Sequence, residues 1–266
     1  MLKDYLVSVL TSKRLETKNK MRNLTAIILA AGRGTRMQST DTNKVAMPVA
    51  GKPMLVRTLS ILKEAGLSHI VVVVGFAKES VIPLLSSDII IAEQTEQLGT
   101  GHAVVSALPK VPSDTQDLLI LYGDDSFLHT ATTFKNLYQT HIDEGAKITF
   151  VTMDSDNPTG LGRIIRDENN EVIGIVEEKN ANDEQKKIKE VNLGCYVINK
   201  KYLEDNISEI HKNPVTGEYY ITDIIDIIAH QKGKIAAHKL TDSKWHGVNT
   251  KDDLATAELL LSNGTK

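Results

Sequence analysis

The segment IILAAGRGTRM at positions 27–37 constrains the fold of this 266-residue chain more than any other. An apolar run breaks there into a loop that contains Gly32 and Gly34, and the cations Arg36 and Lys44 follow it. Small residues let a backbone approach a phosphate closely, with its N–H groups pointing at the anion. The segment therefore predicts a buried strand that ends in an anion-binding turn.

The spacing of the glycines excludes two common phosphate loops. A Walker loop needs Gly-Lys-Ser/Thr after a first glycine and four residues, and the sequence lacks it here. The dinucleotide fingerprint needs a third glycine at the position that Met37 occupies. A plain glycine turn between a strand and a helix is the alternative for this segment taken alone.

Composition limits the partners and the compartment. A net charge of −3 provides no basic field for nucleic acid or an anionic membrane, so we expect neither as a partner. Apolar runs stay well short of the roughly 20 residues that a membrane span needs. The single cysteine, Cys195, forms no intrachain disulfide, which suits a reducing compartment. We expect a cytoplasmic protein.

Apolar runs alternate with amphipathic stretches along the chain, which predicts an α/β fold. Runs rich in Val and Ile without polar alternation are typical of parallel strands buried on both faces. We therefore expect an open, mostly parallel sheet flanked by helices. The predicted strands are 26–30, 70–74, 89–91, 118–122, 148–152, a hairpin of 162–166 and 172–177, 191–198 and 235–240. The predicted helices are 53–65, 100–108, 132–144, 201–210, 218–230 and 251–261.

The loop from Gln94 to His102 falls between a predicted strand and a predicted helix. A glutamine amide can pair with both a donor and an acceptor on the edge of a pyrimidine. Gly99 and Thr100 offer backbone and hydroxyl contacts beside such a base. A polar loop with a helix cap at Thr100 is the alternative interpretation.

Two further segments supply oxygen ligands. Asp124 follows a predicted parallel strand, at the sheet edge where open α/β sheets bind ligands. Mg²⁺ prefers such oxygens together with substrate phosphates. Asn249 stands before a helix that Thr250 and Asp253 could cap, and it could give a second oxygen. An ordinary turn aspartate and a capping asparagine are the alternatives.

Together these segments resemble the uridyltransferase domain of the bacterial N-acetylglucosamine-1-phosphate uridyltransferases. The resemblance covers positions 23–261 nearly throughout. Besides LAAGRGTRM, it rests on EQLGTGHA, LYGD, PTGLGRI, GIVEEKNANDEQ, EVNLG, GEYYITDII and GVN, in that order. It implies a Rossmann-like nucleotidyltransferase fold of the GT-A type with a small sugar-side β lobe.

The resemblance implies a role for each matching residue. Catalysis would depend on Arg36 and Lys44, which hold the phosphates, and on Asp124. The implied binding residues are Leu29, Ala30 and Gly32 for the nucleotide, Gln94, Gly99 and Thr100 for uracil, Asp124 and Asn249 for Mg²⁺, and Gly162, Glu177 and Asn192 for the sugar.

The implied reaction is Mg²⁺-dependent transfer of UMP from UTP to N-acetylglucosamine 1-phosphate, with release of pyrophosphate. The alternatives are a uridyl- or thymidylyltransferase that uses glucose or N-acetylmuramate 1-phosphate, and an inactive paralogue that binds UDP-sugars and regulates a partner. The first alternative is motivated by three departures from the family pattern, Asp125, Ser126 and Leu193. A fourth departure, Asn43, stands where the family has proline, in a loop one residue longer than usual.

We expect an N-terminal extension at 1–22 and a nucleotidyltransferase domain at 23–262. Its nucleotide-binding half spans about 23–130 and its sugar-binding half about 131–262. The chain carries no hexapeptide repeat. We therefore expect no acetyltransferase activity, and the sequence does not indicate an oligomeric state.

Overall fold

The computed structural model describes residues 21–34, 37, 40–241 and 245–262. Nearly all of the expected N-terminal extension lies outside these residues. The strands are β1 (Leu24–Ala30), β2 (Pro48–Val49), β3 (Lys52–Pro53), β4 (His69–Val74), β5 (Ile90–Glu93), β6 (Asp117–Tyr122), β7 (Ile148–Asp154), β8 (Arg163–Arg166), β9 (Val172–Val176), β10 (Glu190–Asn199) and β11 (Ile235–Leu240).

One open mixed sheet runs through the molecule in the order β11-β7-β10-β6-β1-β4-β5. Strand β10 is antiparallel to both of its neighbours, β6 and β7, and the other adjacent strands along this path are parallel. The predicted open, mostly parallel sheet is confirmed. Strand direction at β10 could not be predicted, because an apolar run is equally compatible with either direction.

Helices cover both faces of the sheet. They are α1 (Met54–Ala65), α2 (Lys78–Val81), α3 (Thr100–Ala107), α4 (Ala131–Glu144), α5 (Asp183–Lys186), α6 (Lys200–Asn206), α7 (Asp223–His230) and α8 (Lys251–Ser262). Helices α1 and α4 contribute to one apolar cluster, and α3, α6 and α7 to the other.

Successive side chains of β1 show why the sequences of the strands are unbroken apolar runs. Ala26 and Ile28 pack into the cluster under α1 and α4, whereas Ile27 packs into the cluster under α3 and α7. Alternate residues of a strand point to opposite faces, and here both faces are covered. The apolar run is therefore a consequence of burial on two sides.

The predicted hairpin is present as β8 and β9, and it joins the sheet through pairing of Arg163 with Val191 of β10. This hairpin forms the small lobe beside the main sheet.

One predicted helix is wrong at its start. We expect a helix over 218–230, but α7 begins only at Asp223. The Tyr219 N–H donates to the Leu98 carbonyl, and the Tyr219 carbonyl accepts from the Gly101 N–H, both at 2.8 Å. These long-range bonds hold the segment before α7 against the loop that precedes α3, so it does not become helical.

No helix within the described ranges is long and apolar enough to cross a membrane.

Candidate functional site

Three predicted site residues meet beyond the C-terminal ends of β1 and β6. Lys44 lies in a short 3₁₀ turn, Asp124 follows β6 and Asn249 precedes α8. The Lys44 ammonium forms an ion pair with the Asp124 carboxylate and donates to Asn249 Oδ1 at 3.2 Å. The Lys44 side chain is only 11% exposed and that of Asp124 is 27% exposed, so little water screens the pair. Three charged or polar side chains that are far apart in the sequence thus contact one another in the folded chain.

Asn43 fixes the position of Lys44, and sequence reasoning did not predict this role. Its Nδ2 lies 3.0 Å from the Ala30 carbonyl oxygen, 3.2 Å from that of Gly32 and 2.9 Å from that of Phe76. Its Oδ1 accepts from the Val45 N–H at 3.1 Å. The buried amide therefore ties the glycine loop to the turn that carries the lysine. No sequence signal distinguishes this asparagine from a surface one.

Backbone contacts set the position of Asp124. The N–H of Gly123 donates to the Leu29 carbonyl at 3.1 Å, which joins the end of β6 to β1. A Cβ added to Gly123 would lie 2.9 Å from Val45 Cγ1, so a larger residue would displace the turn of Lys44. Glycine at this position lets the carboxylate and the lysine approach each other.

Asn249 is held by the residues on either side of it. Val248 is fully buried in a cluster with Val49, Met54 and Phe127. On the other side, the Asn249 N–H donates to Asp253 Oδ2 at 2.8 Å. The predicted cap of the last helix is confirmed, because Thr250 Oγ1 accepts from the Asp253 N–H at 3.2 Å.

The donor set at this point fits a hard divalent cation. Asp124 and Asn249 present a carboxylate and an amide oxygen to the same ammonium group. Oxygen atoms of these two kinds are ligands that Mg²⁺ takes, usually with substrate phosphates completing its shell. No group of three His, Cys, Asp or Glu side chains is gathered for a metal in the described part of the chain. A cation at this site would therefore complete its shell with phosphate oxygens or water.

The glycine loop has the expected position after β1. Leu29 and Ala30 end the strand, and their carbonyl oxygens are used by Gly123 and Asn43. Gly32 is exposed, and no atom of the described residues lies within 4 Å of a Cβ built on it. The loop backbone is thus open to a ligand at Gly32. Arg36, the other predicted phosphate cation, lies outside the described residues.

Gln94 is buried with its amide oriented by two partners. Its Nε2 donates to the Gly99 carbonyl at 3.0 Å and lies 3.1 Å from His102 Nδ1. A carbonyl can only accept, so the amide nitrogen faces Gly99 and the oxygen, Oε1, points the other way. The described structure contains no hydrogen bond to this oxygen, which is available to a ligand donor.

The backbone at Gly99 requires glycine. Its φ is +97°, and an added Cβ would lie 2.5 Å from the Tyr219 carbonyl oxygen. Thr100 is the first residue of α3 and does not cap it, because Gly99 is the capping residue. The Thr100 hydroxyl accepts from the Ile221 N–H at 3.0 Å instead. The segment before α7 thus holds this loop in place.

The three predicted sugar residues also come together. A Cβ added to Gly162 would lie 3.6 Å from Glu177 Oε1 and 3.7 Å from the Asn192 Cβ. Burial raises the pKa of the Glu177 carboxyl, and the nearby charge of Asp223 raises it further, although Lys179 opposes both effects. Gly162 and Glu177 at the ends of the small lobe and Asn192 of β10 therefore bring one carboxyl and one amide together beside a glycine.

Tyr122, the last residue of β6, lies between the two binding regions. Its hydroxyl faces those of Thr100 and Tyr196, and burial raises its pKa. Tyr196 in turn accepts from Asn192 Nδ2 at 2.7 Å. The loop that carries Gln94 and the cluster of Glu177 therefore flank the same strand end, two residues before Asp124.

Two of the departures from the family pattern, Leu193 and Asp125, are buried. Leu193 is fully buried in the cluster under α1 and α4. The carboxylate of Asp125 is turned towards Gly194 of β10, since a Cβ added there would lie 2.9 Å from Asp125 Oδ2. Burial and the neighbouring Asp124 raise the pKa of the Asp125 carboxyl well above its usual range.

A model of the family described as nucleotidyl transferase matches residues 25–264. The chain is 41% identical over 244 residues to the bifunctional protein GlmU of Heliobacterium modesticaldum, covering 91% of this chain and 53% of that protein. It is 42% identical over 241 residues to the bifunctional protein GlmU of Caldanaerobacter subterraneus subsp. tengcongensis, covering 91% and 52%. The chain thus spans about half the length of these relatives.

A solved structure supports the fold independently. The crystal structure of a Bacillus anthracis protein described as a glucose-1-phosphate thymidylyltransferase, in complex with a sucrose, matches with a TM-score of 0.74. The match covers 89% of this chain and 94% of that one at 21% identity. At that identity, the similarity speaks for the fold alone.

Proposed function

Because this chain belongs to the nucleotidyl transferase family, we propose that it transfers UMP from UTP to N-acetylglucosamine 1-phosphate. The products are UDP-N-acetylglucosamine and pyrophosphate. One observation carries most of this proposal: Lys44, Asp124 and Asn249 meet beyond the C-terminal ends of β1 and β6. The GlmU relatives at about 40% identity support the same activity.

The orientation of Gln94 favours uracil as the base. With Nε2 directed at Gly99, the amide offers Oε1 to a ligand. Uracil carries a donor, N3–H, where cytosine carries an acceptor, so only uracil complements this oxygen at that atom. Gly99 and Thr100 would contact the same base, and Leu29, Ala30 and Gly32 would line the rest of the nucleotide.

The polar cluster of Gly162, Glu177 and Asn192 favours an acetamido sugar. Glu177 would accept hydrogen bonds from ring hydroxyls, with Gly162 leaving room for the ring. Asn192 would meet the acetamido group with its own amide. The burial of Leu193 in the core argues against a different sugar, because this departure lies outside the sugar cluster.

The chemistry needs charge and position more than a protein base. The phosphate oxygen of a sugar 1-phosphate is already ionised at neutral pH, and it attacks the α-phosphorus of UTP in line. Lys44 and Arg36 would hold the phosphates, so that two anions approach each other and the departing pyrophosphate is neutralised. Preorganised charge and orientation then supply most of the rate.

Asp124 and Asn249 would hold Mg²⁺, which supplies further charge neutralisation to the phosphate oxygens when bound. Lys44 donates to both of these ligands. The lysine therefore helps to place the same oxygens that would hold the cation. An inactive regulatory paralogue is disfavoured, since Lys44, Asp124 and Asn249 are present and grouped.

We also propose how the domain is divided between its two substrates and in which compartment the protein acts. Residues up to about 130 would bind the nucleotide and the rest would bind the sugar, with 1–22 as an extension. Anionic soluble substrates and a buried lone cysteine suit the cytoplasm.

Replacement of the central charges tests the site. We expect Lys44→Ala and Asp124→Ala to lower turnover about a hundredfold or more, the scale for loss of one preorganised partner. The measurement is steady-state pyrophosphate release with UTP, N-acetylglucosamine 1-phosphate and Mg²⁺. Lys63→Ala is the matched control, because Lys63 forms an exposed ion pair with Asp88 at 2.8 Å outside this group of residues. Near-normal turnover in both site variants would refute the assignment.

A further inference from the structure

The amide of Asn192 is held at both of its ends. Its Oδ1 accepts from the Gly194 N–H at 3.2 Å, and its Nδ2 donates to the Tyr196 hydroxyl at 2.7 Å. A backbone N–H can only donate, which settles the end of the amide that carries oxygen. A primary amide has a second N–H and a second lone pair. Each end of Asn192 can therefore make one further bond, to a ligand.

Tyr196 is rigidly placed. The residue is 1% exposed, and its ring meets the rings of Tyr122 and Phe150 edge-on, with centroids 6.1 and 6.4 Å away. The β10 register with β7 shifts between Asn192 and Tyr196. Gly194 makes this irregularity possible, since its φ is +67° and an added Cβ would lie 2.5 Å from Tyr122 Cδ2. The hydroxyl therefore stays where Asn192 meets it.

We propose that Tyr196 is a positioning residue that sets sugar selectivity, because its hydroxyl holds the nitrogen end of the Asn192 amide while the Gly194 N–H holds the oxygen end, and the two bonds together keep the amide in one orientation. This inference rests on the proposed function. The acetamido group is a trans amide, so its N–H and its carbonyl point in opposite directions and only one of them can face Asn192. Its carbonyl complements the second N–H of Asn192. Rotation of the Asn192 amide by half a turn would bring Oδ1 to that carbonyl and set one acceptor against another.

A sugar with a hydroxyl in place of the acetamido group depends less on the fixed orientation. A hydroxyl can donate or accept, so it pairs with either end of the Asn192 amide, whereas a carbonyl pairs only with the nitrogen end. Loss of the fixed orientation would therefore cost the acetamido sugar a hydrogen bond that the hydroxyl sugar keeps. Tyr196 thus acts through Asn192 and not by contact with the sugar.

The test compares two tyrosine-to-phenylalanine variants. Tyr196→Phe removes one hydroxyl, and Tyr138→Phe is the matched control, because the buried Tyr138 hydroxyl donates to Asp117 at 3.1 Å at the opposite end of β6. The readout is the ratio of kcat/KM for N-acetylglucosamine 1-phosphate to that for glucose 1-phosphate. We expect Tyr196→Phe to lower this ratio about tenfold, the value of one hydrogen bond, with an unchanged KM for UTP. Tyr138→Phe is expected to leave the ratio unchanged.

A double-mutant cycle separates positioning from a general structural effect. Asn192→Ala should lower the same ratio at least as far, and adding Tyr196→Phe to it should change the ratio no further. Independent, additive effects, or an unchanged ratio in Tyr196→Phe or in Asn192→Ala, would overturn the inference while the proposed function stands. A wild-type protein without pyrophosphate release from UTP and any sugar 1-phosphate would overturn the proposed function and this inference together.

Discussion

At the scale of single residues, the geometry of the phosphate loop depends most directly on Asn43. Its side chain is buried and reaches carbonyl oxygens in two separate segments, Ala30 to Gly32 and Phe76. The next residue along the chain is Lys44, so an error in the position of Asn43 passes directly to the lysine. A neutral side chain thus controls where a charge is placed.

Removal of this amide should affect both stability and activity. Asn43→Ala leaves buried carbonyl oxygens without a donor, which costs about 2 kcal/mol in the free energy of unfolding. We expect turnover to fall about tenfold as well, because Lys44 loses its fixed position. Denaturant unfolding and pyrophosphate release measure the two effects.

Asn206→Ala provides the comparison for Asn43→Ala. Asn206 is also buried, and its Nδ2 donates to the Tyr202 carbonyl at 2.8 Å on α6. The Asn206→Ala variant should lose stability and keep its turnover. If Asn43→Ala also keeps full turnover, Asn43 serves the fold alone.

Sequence patterns pointed to the residues that we propose contact the substrates and the metal, but not to the neutral residues that hold them in position. Lys44, Asp124 and Asn249 stand in recognisable strings, and the structure brings them together. Asn43 and Tyr196 give no such signal, because their roles depend on carbonyl and amide groups that only the folded chain places nearby. Hydrogen-bond partners of this kind are not encoded in local spacing.

At the scale of elements, the positions of most strands and helices follow from hydrophobic periodicity and capping residues. The exceptions have a common cause in long-range contacts. The direction of β10 is set by its place between β6 and β7, and the late start of α7 by bonds to Leu98 and Gly101. Neither contact is visible in a short window of sequence.

The cap of α8 provides a test at this scale. Asp253 Oδ2 accepts from the Asn249 and Thr250 N–H groups, each at 2.8 Å. Asp253→Ala should cost about 1 kcal/mol, as for other lost caps, and release Asn249. We therefore expect the Mg²⁺ concentration for half-maximal activity to rise several-fold in a Mg²⁺ titration of pyrophosphate release.

Asp252→Ala is the natural control for the cap, because Asp252 is an exposed acid in the same first turn of α8. It removes equal charge without touching the cap bonds of Asp253. An equal shift of the Mg²⁺ requirement in both variants would mean that charge matters there and the position of Asn249 does not.

At the scale of the whole molecule, one sheet joins the two proposed halves. Strands β1, β4, β5 and β6 come from the first half, whereas β7, β10 and β11 come from the second. The insertion of β10 beside β6 brings Asn192 next to the strand end that leads to Asp124. The two halves thus share one core, although each would bind a different substrate. This arrangement suits a reaction that joins two substrates.

We expect the region beyond the C-terminal ends of β1 and β6 to be where a uridylyl group is joined to a sugar phosphate. The direct measurement is a label-transfer assay with UTP carrying ³²P in its α-phosphate, N-acetylglucosamine 1-phosphate and Mg²⁺. We expect the label to appear in UDP-N-acetylglucosamine, with one pyrophosphate released per sugar nucleotide, and we expect CTP and ATP to replace UTP poorly. Label that remains in UTP, or that appears as free UMP with no sugar nucleotide, would contradict it.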